Sequence, residues 1–218
     1  MLTQAQRERG DTLIEVLFAI TVFSLIVVSS LAIMNQGAAA AQRSLEISLV
    51  SQQIDNQAEA LRFLHESYVT NYYSGYATDP NLTIQGPTGQ FYEIVKLANL
   101  KRSDGVTQAS AFGASATCPT PPGRSFIINT NTATINSVPT VFQPAEKYSE
   151  LIYDAANPAS LTAARGIWIE PIKAGATTNP TTSSTGYIDF HIRACWQAPG
   201  VSVPVTLGTI VRLYEPRS

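Results

Sequence analysis

The residue best placed for a specific chemical role is a glutamate. Glu15 stands five residues after Gly10, in the run Gly10-Asp11-Thr12-Leu13-Ile14-Glu15-Val16-Leu17, and no charged residue follows it until Arg43. A carboxylate at the edge of an apolar helix is costly in a bilayer unless paired, so it is a functional candidate by default. The plainer reading is a side chain that snorkels to the headgroups. Other chemistry-bearing residues are scarce. Two cysteines, Cys118 and Cys195, are too few for a disulfide scaffold or a cysteine zinc site. Two histidines, His65 and His191, have no partner at a motif spacing. No nucleophile–base set, phosphate loop or metal cluster is visible. The expectation is therefore no catalytic residue, no metal, no cofactor and no enzymatic activity.

Charge excludes further classes. Charged residues make up 14% of the 218 and the formal net charge is −2. Lys101-Arg102 and Arg124 are too sparse for a nucleic-acid patch and read as solvated surface.

The elements that must position Glu15 begin with the apolar block beside it. Val16 to Met34 is a 19-residue span whose polar side chains are Thr21, Ser24, Ser29 and Ser30. Roughly 20 apolar residues cross a bilayer as a helix. The four hydroxyls can each bond back to a helix carbonyl. A secretory signal peptide or an uncleaved anchor would also explain such a span, and Gly37-Ala-Ala-Ala-Ala would suit a cleavage site. The helical pattern, however, continues. The first proline is Pro80, and Gly37 is the single glycine between Gly10 and Gly75. Ile47, Val50, Ile54, Ala58, Leu61, Leu64 and Tyr68 recur at helical spacing, with Ser48, Gln52, Asp55, Glu59, Arg62 and Glu66 on another face. A helix over about Thr12 to Tyr68 is predicted, about 85 Å long at 1.5 Å per residue.

After Tyr72 the texture changes. Residues 74–90, 103–125 and 174–186 are rich in Gly, Pro, Ser, Thr and Asn and read as loops. Gly186 to Trp196 alternates with period two: Ile188, Phe190, Ile192, Ala194 and Trp196 against Tyr187, Asp189, His191, Arg193 and Cys195. That predicts a half-buried strand. Ala198-Pro199-Gly200 is a turn, Thr206 to Tyr214 a second strand and Arg165 to Ile172 a third. Residues 91–99 and 146–156 suit strand or helix equally. The predicted class is α+β, a long N-terminal helix packed on a C-terminal antiparallel sheet.

GDTLIEVLFAITVF resembles the class III signal sequence of type IV prepilins and type II secretion pseudopilins, whose usual form is a glycine, an apolar residue, TLIE and an apolar helix. The motif covers about 25 residues; the resemblance in architecture covers the chain. It implies a leader over 1–10, a membrane or filament-core half-helix over 11–42, an amphipathic half over 43–73 and a pilin-like domain over 74–218. Gly10 would be the last leader residue, cut by a prepilin peptidase, and Asp11 the new N-terminus. Glu15 would pair with the free amine of a neighbouring subunit during assembly. The partners implied are that peptidase, other pilin subunits, membrane lipid before assembly and the pilus assembly platform. The location implied is the cytoplasmic membrane in a single pass, with the C-terminal domain outside it and a surface filament after assembly. TLIEVL and the large domain resemble minor pilins and pseudopilins in particular. The alternative is a single-pass anchored extracytoplasmic binding domain.

Two departures stand out. Asp11 occupies the place of the family's usual phenylalanine, which is commonly N-methylated. Residues 24–32 lack the helix-breaking glycine or proline of many pilins. Many pilins carry a C-terminal cysteine pair, so the resemblance favours a Cys118–Cys195 disulfide over two unpaired thiols. Trp196 reads as core, and Tyr68, Tyr72, Tyr73 and Tyr76 as a cap on the helix–sheet contact.

Overall fold

A computed structural model of the chain describes residues 11–72, 86–112, 117–174, 186–198 and 201–216, the side chains of 11 and 12 excepted. Gly10 and the expected leader, the Asp11 side chain, Tyr73, Tyr76, Pro199 and Gly200 lie outside the described residues, as do most of the loops expected over 74–90 and 174–186.

Helix α1 runs Asp11–Tyr72 as 62 uninterrupted residues, one turn past the predicted end. It contributes to two compact units that divide between Leu45 and Glu46. In the first, all four hydroxyls of the apolar span bond within the helix: Thr21 to the Phe18 carbonyl, Ser24 to Ile20, Ser29 to Leu25 and Ser30 to Ile26. The span thus presents no unsatisfied side-chain polar group to its surroundings. Its large apolar side chains are all exposed, Phe18 at 71% and Ile33 at 69%.

In the second unit the predicted stripe is the buried one. Val50, Ile54, Ala58, Leu61, Leu64 and Tyr68 lie in the core, and only Ile47, nearest the boundary, is exposed. The six polar residues of the opposite stripe are exposed. The helix meets a five-stranded antiparallel sheet of order β2-β1-β6-β7-β8. Its strands are β1 (Phe126–Asn129), β2 (Thr134–Ser137), β6 (Ile167–Ala174), β7 (Tyr187–Trp196) and β8 (Val205–Tyr214). Registers run from Ile167↔Ala194 to Ala174↔Tyr187 and from Tyr187↔Tyr214 to Trp196↔Val205. The predicted strands match β6, β7 and β8 within one or two residues, and the inward set Ile188, Phe190, Ile192, Ala194 and Trp196 is fully buried. A second sheet, order β3-β5-β4, comprises β3 (Phe142–Gln143), β4 (Glu150–Tyr153) and β5 (Leu161–Arg165). The single-turn helix α3 (Val138–Val141) precedes β3.

Helix α2 (Gly86–Ser103) resolves one ambiguity and corrects one expectation. Residues 91–99 are helix, with Phe91, Ile94, Val95 and Ala98 buried at helical spacing. Residues 86–90, read as loop, are its first turn. Pro87 suits a helix start, where a missing N–H costs nothing. Thr88 fixes that turn to the end of α1, accepting from Asn71 at 2.7 Å and donating to the Ser67 carbonyl at 3.1 Å. The other ambiguous stretch, 146–156, contains β4.

Gln57 is one of the buried polar residues that link helix to sheet. Gln57 donates to the Ile128 carbonyl at 2.8 Å and accepts from the Ile128 N–H at 2.9 Å. β1 and β6 are paired at Phe126↔Ile169 alone, and the Gln57 amide takes the place of a strand where they part.

Candidate functional site

The segment around Glu15 has simple geometry. Glu15 sits one turn into α1, on the face shared with Phe18, Ala19 and Val22. It is exposed, and among the described residues it forms no ion pair. The helix beyond it contains an 18-residue window of mean hydropathy 2.7, none of it buried. By length and composition α1 is able to cross a membrane once. From Val16 to Met34 it is a bare apolar surface, with the Glu15 carboxylate just before it.

The Cys118–Cys195 disulfide is present, with Cα atoms 5.7 Å apart. It ties the segment after α2 to the outer face of β7. Alternation along β7 predicts a polar, open outer face; from Arg193 onward that face is buried as well. The covering segment explains this. Ser110 gives its N–H and hydroxyl to the Glu170 carboxylate at 2.9 and 2.5 Å, and Arg193 donates to the Ser110 carbonyl. Phe112 lies 4.7 Å from the Arg193 guanidinium and packs on Trp168, and Cys118 closes the segment.

Sequence reasoning missed the ionic cluster beneath it. Lys101 on α2 and Glu170 on β6 form a buried pair, Nζ to Oε2 3.7 Å. Lys101 is 2% exposed, so its reading as solvated surface is corrected: the α2 face that carries Ala98 turns Lys101 inward too. The partners are 60 to 83 residues apart, and no local pattern announces them. Burial pushes the Glu170 carboxyl up, but the two Ser110 bonds and the Lys101 and Arg193 charges outweigh it and hold the pKa below the ordinary value. Burial pulls the Lys101 ammonium down against the raising effect of Glu170. Burial and Arg193 likewise lower His191, whose backbone pairs with Glu170.

A pH dependence follows. A carboxylate whose folded pKa is depressed contributes stability fully present above its unfolded pKa and lost as pH falls through the folded value. Glu170 should therefore make the domain lose stability as pH drops below about 4.5. Urea midpoints measured from pH 7 to pH 3 should fall less steeply for Glu170→Gln than for wild type in that window. Parallel curves would show that Glu170 does not titrate differently in the two states.

Three other residues with chemical side chains have structural roles. Trp196 is fully buried, and its indole donates to Glu46 Oε2 at 3.2 Å. Tyr68 packs against Tyr72 and Phe91, with ring centroids 5.8 and 5.2 Å apart. His65 Nε2 lies 2.8 Å from the Tyr214 carbonyl. Among the described residues no three His, Cys, Asp or Glu are grouped to hold a metal ion. No protein-family model, no curated protein and no solved structure matches the chain.

Proposed function

We propose that this chain is a type IV pilin-like subunit, a minor pilin, made as a prepilin and assembled from the cytoplasmic membrane into an extracytoplasmic filament. The observation that carries the reading is the bare, charge-free helix beyond Glu15, opened by GDTLIE. A surface of that kind must be buried somewhere, and lipid before assembly and a filament core afterwards both exclude water. Glu15 distinguishes the two environments. In lipid it has no partner. In a filament it meets the amine at a neighbour's Asp11, and opposite charges in a low dielectric attract strongly. That pairing sets the register along the filament. The Asp11 carboxylate beside the amine weakens the attraction relative to an apolar residue there. The Cys118–Cys195 bridge supports an extracytoplasmic domain, since disulfides persist in oxidising compartments.

Cleavage between Gly10 and Asp11 is the first expected result. Mass spectrometry of protein extracted from a strain with active prepilin peptidase should find Asp11 at the N-terminus. An intact Met1 counts against the reading.

Assembly is the second. Glu15→Ala should leave the protein cleaved and membrane-inserted, yet lower the ratio of subunit in sheared filaments to subunit in membranes. Glu15→Gln should do the same if charge is what matters. An unchanged ratio in both variants favours the anchored binding domain. A subunit that never leaves the cell envelope on shearing, but is required for protein export, favours a type II secretion pseudopilin.

A further inference from the structure

We propose that the free edge of β8 takes up an extended, uncharged segment of another polypeptide as a sixth strand, antiparallel to β8.

The edge is long and regular. β8 has ten residues, where about five or six are usual. It pairs with β7 through ten consecutive partners without a register shift. Glu215, one residue beyond it, gives its N–H to the Gly186 carbonyl at 2.8 Å. Period two then turns the N–H and C=O of Leu207, Thr209, Val211 and Leu213 toward β7, and those of Thr206, Gly208, Ile210 and Arg212 away from it. All four outward residues are exposed, and among the described residues no other element bonds their backbone. The opposite edge of the sheet is treated differently: Gln90 of α2 accepts the Ile135 N–H of β2 at 2.8 Å. On β8 the corresponding cover comes at the last residue, where His65 of α1 meets the Tyr214 carbonyl.

Native sheet edges are ordinarily guarded by lysine, proline, a bulge or short length. β8 has none of these. Its one charge, Arg212, is drawn back over the sheet. Both oxygens of Asp189 hold the guanidinium, at 2.7 and 2.8 Å, and it lies 4.0 Å from the Tyr187 ring centroid. Ile210, in the outward row, is 59% exposed. A row of alternating main-chain donors and acceptors is met in full by another extended backbone, and a small ligand would leave most of it unmatched.

Charge and direction fix the occupant. With Arg212 neutralised by Asp189, the edge asks for an uncharged strand with an apolar residue beside Ile210. A second copy of this chain fits badly. β8 runs alongside α1: Val205 pairs with Trp196, whose indole reaches Glu46, and Tyr214 meets His65. A two-fold β8–β8 pair would therefore set the two helices antiparallel, with their Glu46 ends facing opposite ways. Subunits anchored in one membrane present those ends the same way; this step alone rests on the anchored reading above.

The test uses full-length protein in detergent, with amide hydrogen exchange read residue by residue. In the free protein the N–H groups of Gly208, Ile210 and Arg212 should exchange fast, and those of Thr209, Val211 and Leu213 slowly. The probe is N-acetylated Thr-Val-Thr-Ile-Thr-Val-Thr amide. It should slow the first set saturably and leave the second unchanged. The same peptide with proline in place of its isoleucine should protect nothing. Ile210→Pro removes one outward N–H and no bond to β7, a change that edge strands tolerate, and should weaken the probe about tenfold or more. Ile210→Thr keeps the N–H and should retain binding. The proposal is overturned if the outward amides are already slow in the free protein, if the probe protects none of them, or if the proline peptide protects them equally. It is also overturned if sedimentation shows a dimer of this chain that protects the same amides without the probe.

Discussion

Gly166→Ala is expected to lower the stability of the C-terminal domain by about 2–5 kcal/mol, the sum of left-handed strain and overpacking. Gly166 stands between β5 and β6, where the two sheets join, with φ +62°. A methyl group there would clash with the Cys195 carbonyl oxygen and lie 2.7 Å from Ala145 Cβ and 2.8 Å from Ser149 Oγ. None of these can withdraw cheaply. The Gly166 carbonyl accepts from the Cys195 N–H at 2.8 Å and from Ser149 Oγ at 3.0 Å, and its own N–H reaches the Gln143 carbonyl at 2.8 Å. Moving the backbone to admit the methyl would strain all three bonds. Gly86→Ala is the control: φ is +71° but nothing lies within 4 Å of the added carbon. It should cost only the conformational part, about 1–2 kcal/mol. Guanidinium midpoints for the two variants and wild type decide the matter. Equal losses at both sites would mean that the close packing around Gly166 relaxes freely.

Reduction of the Cys118–Cys195 bridge should cost about 4 kcal/mol on the chain-entropy account, since the cysteines are 77 residues apart. A larger loss is expected for the double variant Cys118→Ala/Cys195→Ala, where buried Cys195 also gives up contact with Val138 and Trp168. A local consequence accompanies the global one. The covering segment is held at Ser110, Phe112 and Cys118, and losing the last tie should speed amide exchange at Ser110, whose N–H is bonded to Glu170. Denaturant midpoints with and without dithiothreitol, alkylation confirming open thiols, give the first number. Hydrogen exchange gives the second. A midpoint unmoved by full reduction would show that the unfolded chain is no freer without the bridge.

The two predictions concern one junction. The Cys195 carbonyl faces Gly166 while its side chain ties down the covering segment. Damage on either side should therefore couple, and the double perturbation should cost less than the sum.

Much of the architecture is legible in the sequence because it rests on local periodicity. The helix over 12–68, its buried stripe from Val50 to Tyr68, and the alternation of β7 all follow from one rule: a side chain's direction is set by backbone period, and apolar directions turn inward. The exposed span from Val16 to Met34 and the isolation of Glu15 are equally plain, being properties of composition. The cysteine bridge is of another kind: a family resemblance favours it, and no local pattern announces it. Beyond that, tertiary structure decides. β1, β2, β3 and β5 are two to five residues long, too short for a period to register. Residues 86–90 look like loop, and they are helix because Thr88 finds Asn71 and the Ser67 carbonyl on another element. Lys101 looks like surface, and it is buried because α2 presents it to Glu170, 69 residues later on β6. Both faces of the end of β7 are covered because a segment without regular structure is tied over it. Short-range pattern records which way a residue points along its own element. Which distant element it then meets depends on packing between segments that share no sequence neighbourhood, and that is where the ionic cluster arises.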